Sequence, residues 1–235
     1  MPHLMSRFRW WFTLIYVLCT PVSFAIPLRI LAWDDGIAAR NLEIVCTKGT
    51  FKLEGLHPLQ RSRIFDVSVQ ADAPALIFAK DRLGPEGKPA QLVVKIPAGI
   101  KNPLMLLLPD EKAASGLRQL VIEDSTSDFN WGTIRLVNTS GKPMVFGWDK
   151  KRVMVPDGWE PVNVAPGGKA RNMGAVLYLA DNPEKPIYSA IWEHRDLLRQ
   201  LVFIVPSEDL SRGAVDFKFI IEDQQEVKSK DTKEE

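Results

Sequence analysis

Short apolar runs, each closed by a turn signal, are the feature that most restricts this chain. Fifteen such runs of four to six residues lie between residues 28 and 221. Several alternate with period two. Phe217, Phe219 and Ile221 point one way, and Lys218 and Ile220 the other. The runs at 104–108 and 201–205 are apolar on both faces, as in central strands. Proline and glycine stand between the runs, as in Gly84-Pro85, Pro97-Ala98-Gly99, Ser140-Gly141-Lys142-Pro143 and Pro166-Gly167-Gly168. Residues 111–117 and 193–200 have room for a helical turn or two. A parallel α/β fold needs helices of about 10 residues or more between strands, and these are missing. The pattern predicts a mainly β protein built from antiparallel β-sandwiches of immunoglobulin-like kind.

The plan occurs twice. Arg29-Ile30-Leu31 before Gly36 matches Arg135-Leu136-Val137 before Gly141. Leu106-Leu107-Leu108-Pro109, Gly116 and Leu120-Val121-Ile122-Glu123-Asp124 match Phe203-Ile204-Val205-Pro206, Gly213 and Phe219-Ile220-Ile221-Glu222-Asp223. An internal duplication explains this order of features. It divides the chain into a first sandwich at 26–124, a linker at 125–128 and a second sandwich at 129–222. Residues 223–235 carry Val227 as their one apolar side chain, and this mixed-charge tail is expected to be disordered.

The first 25 residues read as an address. Arg7 and Arg9 precede an apolar stretch at 10–19, then Pro21 and Ser23-Phe24-Ala25. A basic start, a short apolar run and a small-x-small end form a secretory signal peptide. The run is far short of the ~20 residues of a spanning helix. An uncleaved anchor is the other reading, and Leu18 argues against a lipid-modified Cys19. Cleavage after Ala25 takes net charge from +1 to −1 and leaves Cys46 as the one cysteine, so no internal disulfide can form. Leu42, Ile44 and Cys46 share a strand face, which makes Cys46 a small buried apolar group. Charge near zero gives no drive toward nucleic acid. Any membrane contact passes through the signal peptide alone.

Groups able to carry chemistry are sparse. There is no G-x-S-x-G elbow, no phosphate loop and no cysteine with a neighbouring histidine. No metal site or cofactor is expected from two histidines, His57 and His194, and one apolar-facing cysteine. His57 lies in a loop before Pro58. Glu193, His194 and Asp196 form either a charged turn leaving a strand or a proton relay. Asp34-Asp35-Gly36 reads as a turn, because adjacent strand residues face opposite ways. The tryptophans are the remaining lead. Trp159 follows Pro156-Asp157-Gly158 at a loop tip, and Trp131 and Trp148 sit at strand ends. Exposed, the three would offer flat faces to sugar rings; buried, they would fill a sandwich core.

Residues 28–36 (Leu-Arg-Ile-Leu-Ala-Trp-Asp-Asp-Gly), Leu56-His57-Pro58-Leu59-Gln60-Arg61, the run at 104–110 and the stretch at 129–138 look like a group of exported bacterial proteins with no assigned activity. That resemblance implies a location in the bacterial envelope or beyond it, and nothing about substrate. The expectation is an exported, non-enzymatic structural or protein-interaction module of the envelope. The alternative is a carbohydrate-binding sandwich. The partner is then an envelope protein or a glycan.

Overall fold

In the computed structural model, residues 25–68, 73–209, 211 and 213–234 are described. The signal-peptide reading falls on residues outside them, apart from Ala25. The first lobe runs through β1 (Ala25–Ala32), α1 (Asp35–Ala38), β2 (Leu42–Cys46), β3 (Gly49–Lys52), β4 (Phe65–Ser68), β5 (Leu76–Leu83), β6 (Pro89–Val93), β7 (Pro103–Pro109) and β8 (Leu117–Glu123). The second follows with β9 (Ile134–Asn138), β10 (Met144–Trp148), β11 (Lys151–Val155), β12 (Pro161–Val164), β13 (Arg171–Leu179), β14 (Asn182–His194), β15 (Leu198–Pro206), β16 (Val215–Asp223) and α2 (Gln224–Glu234).

Each lobe is a pair of four-stranded sheets with the same strand order. The first has β4-β1-β7-β8 over β3-β2-β5-β6, and the second β12-β9-β15-β16 over β11-β10-β13-β14. Adding eight to each strand number of the first lobe gives the second. Register agrees residue by residue. Arg29 pairs with Leu104, and Arg135 with Leu201. Glu43 pairs with Lys52 and Phe78, and Val145 with Met154 and Tyr178. This common topology is what a duplication produces. One refinement concerns the ends of the lobes. Leu104 faces Ile122 and Leu201 faces Ile220, so Asp124 corresponds to Glu222 and not to Asp223.

The sheets are not purely antiparallel, and that expectation is corrected. β1 runs parallel to β7, and β9 parallel to β15. Parallel neighbours need a long connection. Here the connection is five strands of the same lobe, so the first strand closes the sheet beside the penultimate one.

The four sheets stack as layers, which explains the two-faced apolar runs. Met105 and Leu107 of β7 enter the core of the first lobe with Ile30, Ile44, Phe65 and Ile77. Leu104, Leu106 and Leu108 point the other way, into a third core at the lobe junction with Leu31, Phe129, Val137, Leu201, Phe203 and Ile220. From β15, Val202 and Ile204 join the second lobe's own core, beside Phe146, Leu177 and Trp192. β7 and β15 are therefore central within their sheets and also inner in the stack.

Local differences from the sequence reading have local causes. Asp34 caps the single turn of α1 by accepting from Ile37 N–H at 2.7 Å, so Asp34-Asp35-Gly36 opens a short helix. Residues 224–234, expected to be disordered, form α2. Asp223 Oδ1 accepts from Gln225 N–H, and Gln224 N–H donates to Leu197 O, tying its first turn to the sheet.

Candidate functional site

The three tryptophans singled out above do not meet. Trp148 is 8% exposed in the second lobe's core, stacked on Phe146 at 6.0 Å. Trp131 is half-buried under the Arg199 guanidinium, 5.3 Å from its ring centre. Trp159 is half-buried rather than free at a loop tip. It packs at the junction against Trp33 (5.3 Å) and Phe203 (6.3 Å), with Arg118 over its ring. Those contacts hold its backbone at φ +73°, a left-handed conformation rare for a bulky side chain. Loop context indicated exposure for Trp159 because the surface that covers it belongs to the other lobe.

The charged turn after β14 does not assemble a relay. His194 is buried, while Glu193 and Asp196 are exposed and Glu193 pairs with Arg195 at 2.8 Å. Strand alternation separates Glu193 from His194. His57 is exposed, and its Nδ1 accepts from Leu59 N–H. Cys46 lies half-buried against the first lobe's core. Among the described residues, no three His, Cys, Asp or Glu side chains are grouped to hold a metal ion. No helix there is long and apolar enough to cross a membrane.

At the junction a cleft of about 470 Å3 is lined by Arg29, Arg61, Arg63, Ile64, Ile221 and Glu222. Most of its charge is already committed to ion pairs, of which Arg29–Glu222 and Arg199–Asp124 join the lobes. Arg61 grips Asp124 through two bonds of 2.8 and 3.0 Å. Arg199 donates to Asp124 O at 2.7 Å and to Glu222, which also takes Arg29 at 2.7 Å. Burial weakens the Arg61 cation, but Asp124 outweighs it and the net direction is upward. For Arg199, burial wins: Asp124 and Glu222 offset it only in part while Arg61 repels, and the direction is downward. Both side chains are 4% exposed, so this is a structural seam.

The outer sheet of the second lobe is different, and the first lobe supplies the comparison. In the first lobe, Glu43 and Lys52 face each other across β2 and β3, and Glu43 also binds Lys80 at 2.9 Å. That sheet face is solvated by charge. At the same register the second lobe has Val145, Met154 and Ala180. Val45 is replaced by Gly147. The fold does not demand these changes, since the first lobe keeps it with charges in place.

The resulting face is a shallow trough of about 720 Å3, lined by Gly147, Arg152, Gly174, Val176 and Tyr178. Gly147 lies beside Val176, and Gly174 beside Ile191, on neighbouring strands. Around this low floor stand Met154, 52% exposed, and Ile191, 70% exposed. Arg152 lies over the Tyr178 ring at 4.6 Å and closes one side. Asp149 pairs with Arg171, leaving Lys150 and Lys151 at the corner of the β10–β11 turn. Apolar side chains this exposed on a sheet face are suited to covering by a partner.

No family model matches the chain, and no curated protein matches it.

Proposed function

We propose that this chain is an exported, non-enzymatic interaction module of a bacterial envelope, and that it holds a protein partner on the outer sheet of its second lobe. The observation that supports this reading is the contrast between equivalent faces. Glu43, Lys52 and Lys80 become Val145, Met154 and Ala180 in the same fold. At the same register Arg152 replaces Thr50, so the face loses three charged side chains and gains one, and exposed Met154 and Ile191 remain to be covered. The junction supports the reading as well, because three cores and the Asp124 seam make a rigid platform for such a face. The export signal at residues 1–25 and the immunoglobulin-like character of the lobes belong to the same reading.

The test is capture from envelope extract by the wild-type protein and by Val176→Glu, with bound proteins and glycans identified by mass spectrometry. A defined protein retained by wild type and lost with Val176→Glu is the expected result. A glycan lost with Trp159→Ala and unaffected by Val176→Glu would favour the carbohydrate reading instead.

A further inference from the structure

We propose that the free edge of β14, at the rim of this outer sheet, binds an extended, apolar segment of a protein partner as an added strand. The proposal rests on reading the outer sheet of the second lobe as an interaction surface, and it names the chemistry of the partner: an extended polypeptide backbone.

Among the described residues, β14 pairs with β13 alone. One row of its N–H and C=O groups therefore points away from the sheet. The first lobe shows which residues supply that row. There Val94 N–H donates to Ala75 O at 2.8 Å across the sheet, and the next carbonyl, Lys95 O, points outward, where it accepts from the Gln119 amide of β8 at 2.9 Å. By register Val94 corresponds to Ala190 and Lys95 to Ile191. The outward row of β14 is thus Ser189, Ile191 and Glu193. Glu193 O already accepts from the Gln200 amide at 3.0 Å, and Pro183 and Pro186 interrupt the other end of the strand. Residues 187–192 remain bare, about 20 Å of edge at about 3.4 Å per residue.

The first lobe guards the same edge and the second does not. β6 starts at Pro89, Lys95 follows it with a charge, and Gln119 ties it to β8. Proline, an edge lysine and a covering side chain are ordinary means of keeping a further strand off. In the second lobe Ile191 stands for Lys95 and Phe217 for Gln119, and no proline follows Pro186 in β14.

The exchange leaves an aromatic rim. Phe217 of β16 lies 4.4 Å from Tyr188 and 5.4 Å from Trp192, and Phe219 lies 5.1 Å from Trp192. Tyr188, Phe217 and Phe219 are half-buried between the edges of β14 and β16. A strand laid beside β14 sets every second side chain over this rim and the others beside Ile191, which is 70% exposed. Unpaired N–H and C=O groups at period two are matched by another extended backbone, and the rings favour apolar side chains on the row that meets them. The segment that fits is extended, about six residues long, free of proline and apolar at alternate positions.

The test selects a random heptapeptide library, displayed on phage, against protein purified from cells expressing the full chain. Enrichment of proline-free peptides with alternating apolar residues is expected, and the most enriched one, made synthetically, is expected to bind with a micromolar Kd by fluorescence anisotropy. N-methylation of its alternate amides removes donors and keeps the side chains, and should weaken binding at least about tenfold. Ile191→Pro removes an N–H that faces away from β13 and should weaken binding to the same extent. Ile191→Lys, which restores the first lobe's guard, should weaken it about threefold or more while Tm stays unchanged. Val176→Glu, on the neighbouring strand, should leave peptide binding intact. Absence of enriched peptides overturns the proposal, as does binding that N-methylation and both Ile191 variants leave unchanged. Self-association of wild type that Ile191→Pro abolishes would give the edge to a second copy and overturn it too. If the edge fails while a protein is still captured through Val176, the interaction surface stands and only strand addition is removed. Loss of both would remove the surface as well.

Discussion

Asp124 is the residue on which the junction turns. It accepts from both Arg61 and Arg199, and all three side chains are nearly excluded from solvent. Asp124→Ala leaves two buried guanidiniums without it, so a loss of about 3–5 kcal/mol is expected in urea denaturation. Nothing in the strand pattern marks Asp124, which reads in sequence as a strand-end carboxylate like Glu123. Lys218 makes a second case. Its Nζ donates to Trp33 O and lies 4.8 Å from the Trp33 ring centre. Burial lowers its pKa, and Asp34 and Asp35 offset this only in part. The folded protein therefore releases this proton at lower pH than the unfolded chain. The stability of wild type relative to Lys218→Met is expected to rise as pH climbs from the folded value toward about 10.4, the free-lysine value. Denaturation of both proteins at about pH 8 and about pH 10.5 measures the slope, and a falling difference would contradict the assignment.

At the scale of elements, period-two alternation and turn residues located most strands, because strand faces and tight turns are set by near neighbours. The two-residue turns after Cys46 and Trp148 close equivalent hairpins. What the pattern concealed was pairing. The parallel contacts of β1 with β7 and β9 with β15 join segments about seventy residues apart, where no local signal operates. α2 was also concealed, since a polar segment leaves no apolar stripe to read. Gly147 yields an element-level prediction. It sits inside β10 without positive φ, and an added Cβ meets nothing closer than 3.7 Å. Gly147→Ala is expected to stabilise the second lobe by about 0.5–1 kcal/mol in urea denaturation.

For the whole molecule, the junction core decides whether the lobes act as one body. Each lobe has a core of its own, but Leu106 and Phe203 are fully buried only because the lobes meet. One calorimetric unfolding transition is therefore expected for wild type, with calorimetric and van't Hoff enthalpies in agreement. Phe203→Asp places a carboxylate in that core and should split the transition in two without removing either lobe's strands. A single transition in the variant would mean that the lobes are coupled elsewhere.

Much of the architecture is local and was determined by the sequence alone: the β class, the repeated order of features and the central position of the two-faced runs within their sheets. Each depends on side-chain alternation or turn chemistry within about ten residues. The seam and the trough were decided only by tertiary structure. Arg61, Asp124 and Arg199 come from three distant segments. Gly147, Gly174, Val176 and Ile191 come from three strands whose register alone puts them on one face. A surface assembled across strands has no period along the chain. Its character emerged from comparing two folded lobes position by position, since burial and register, not composition, decide which side chains meet solvent.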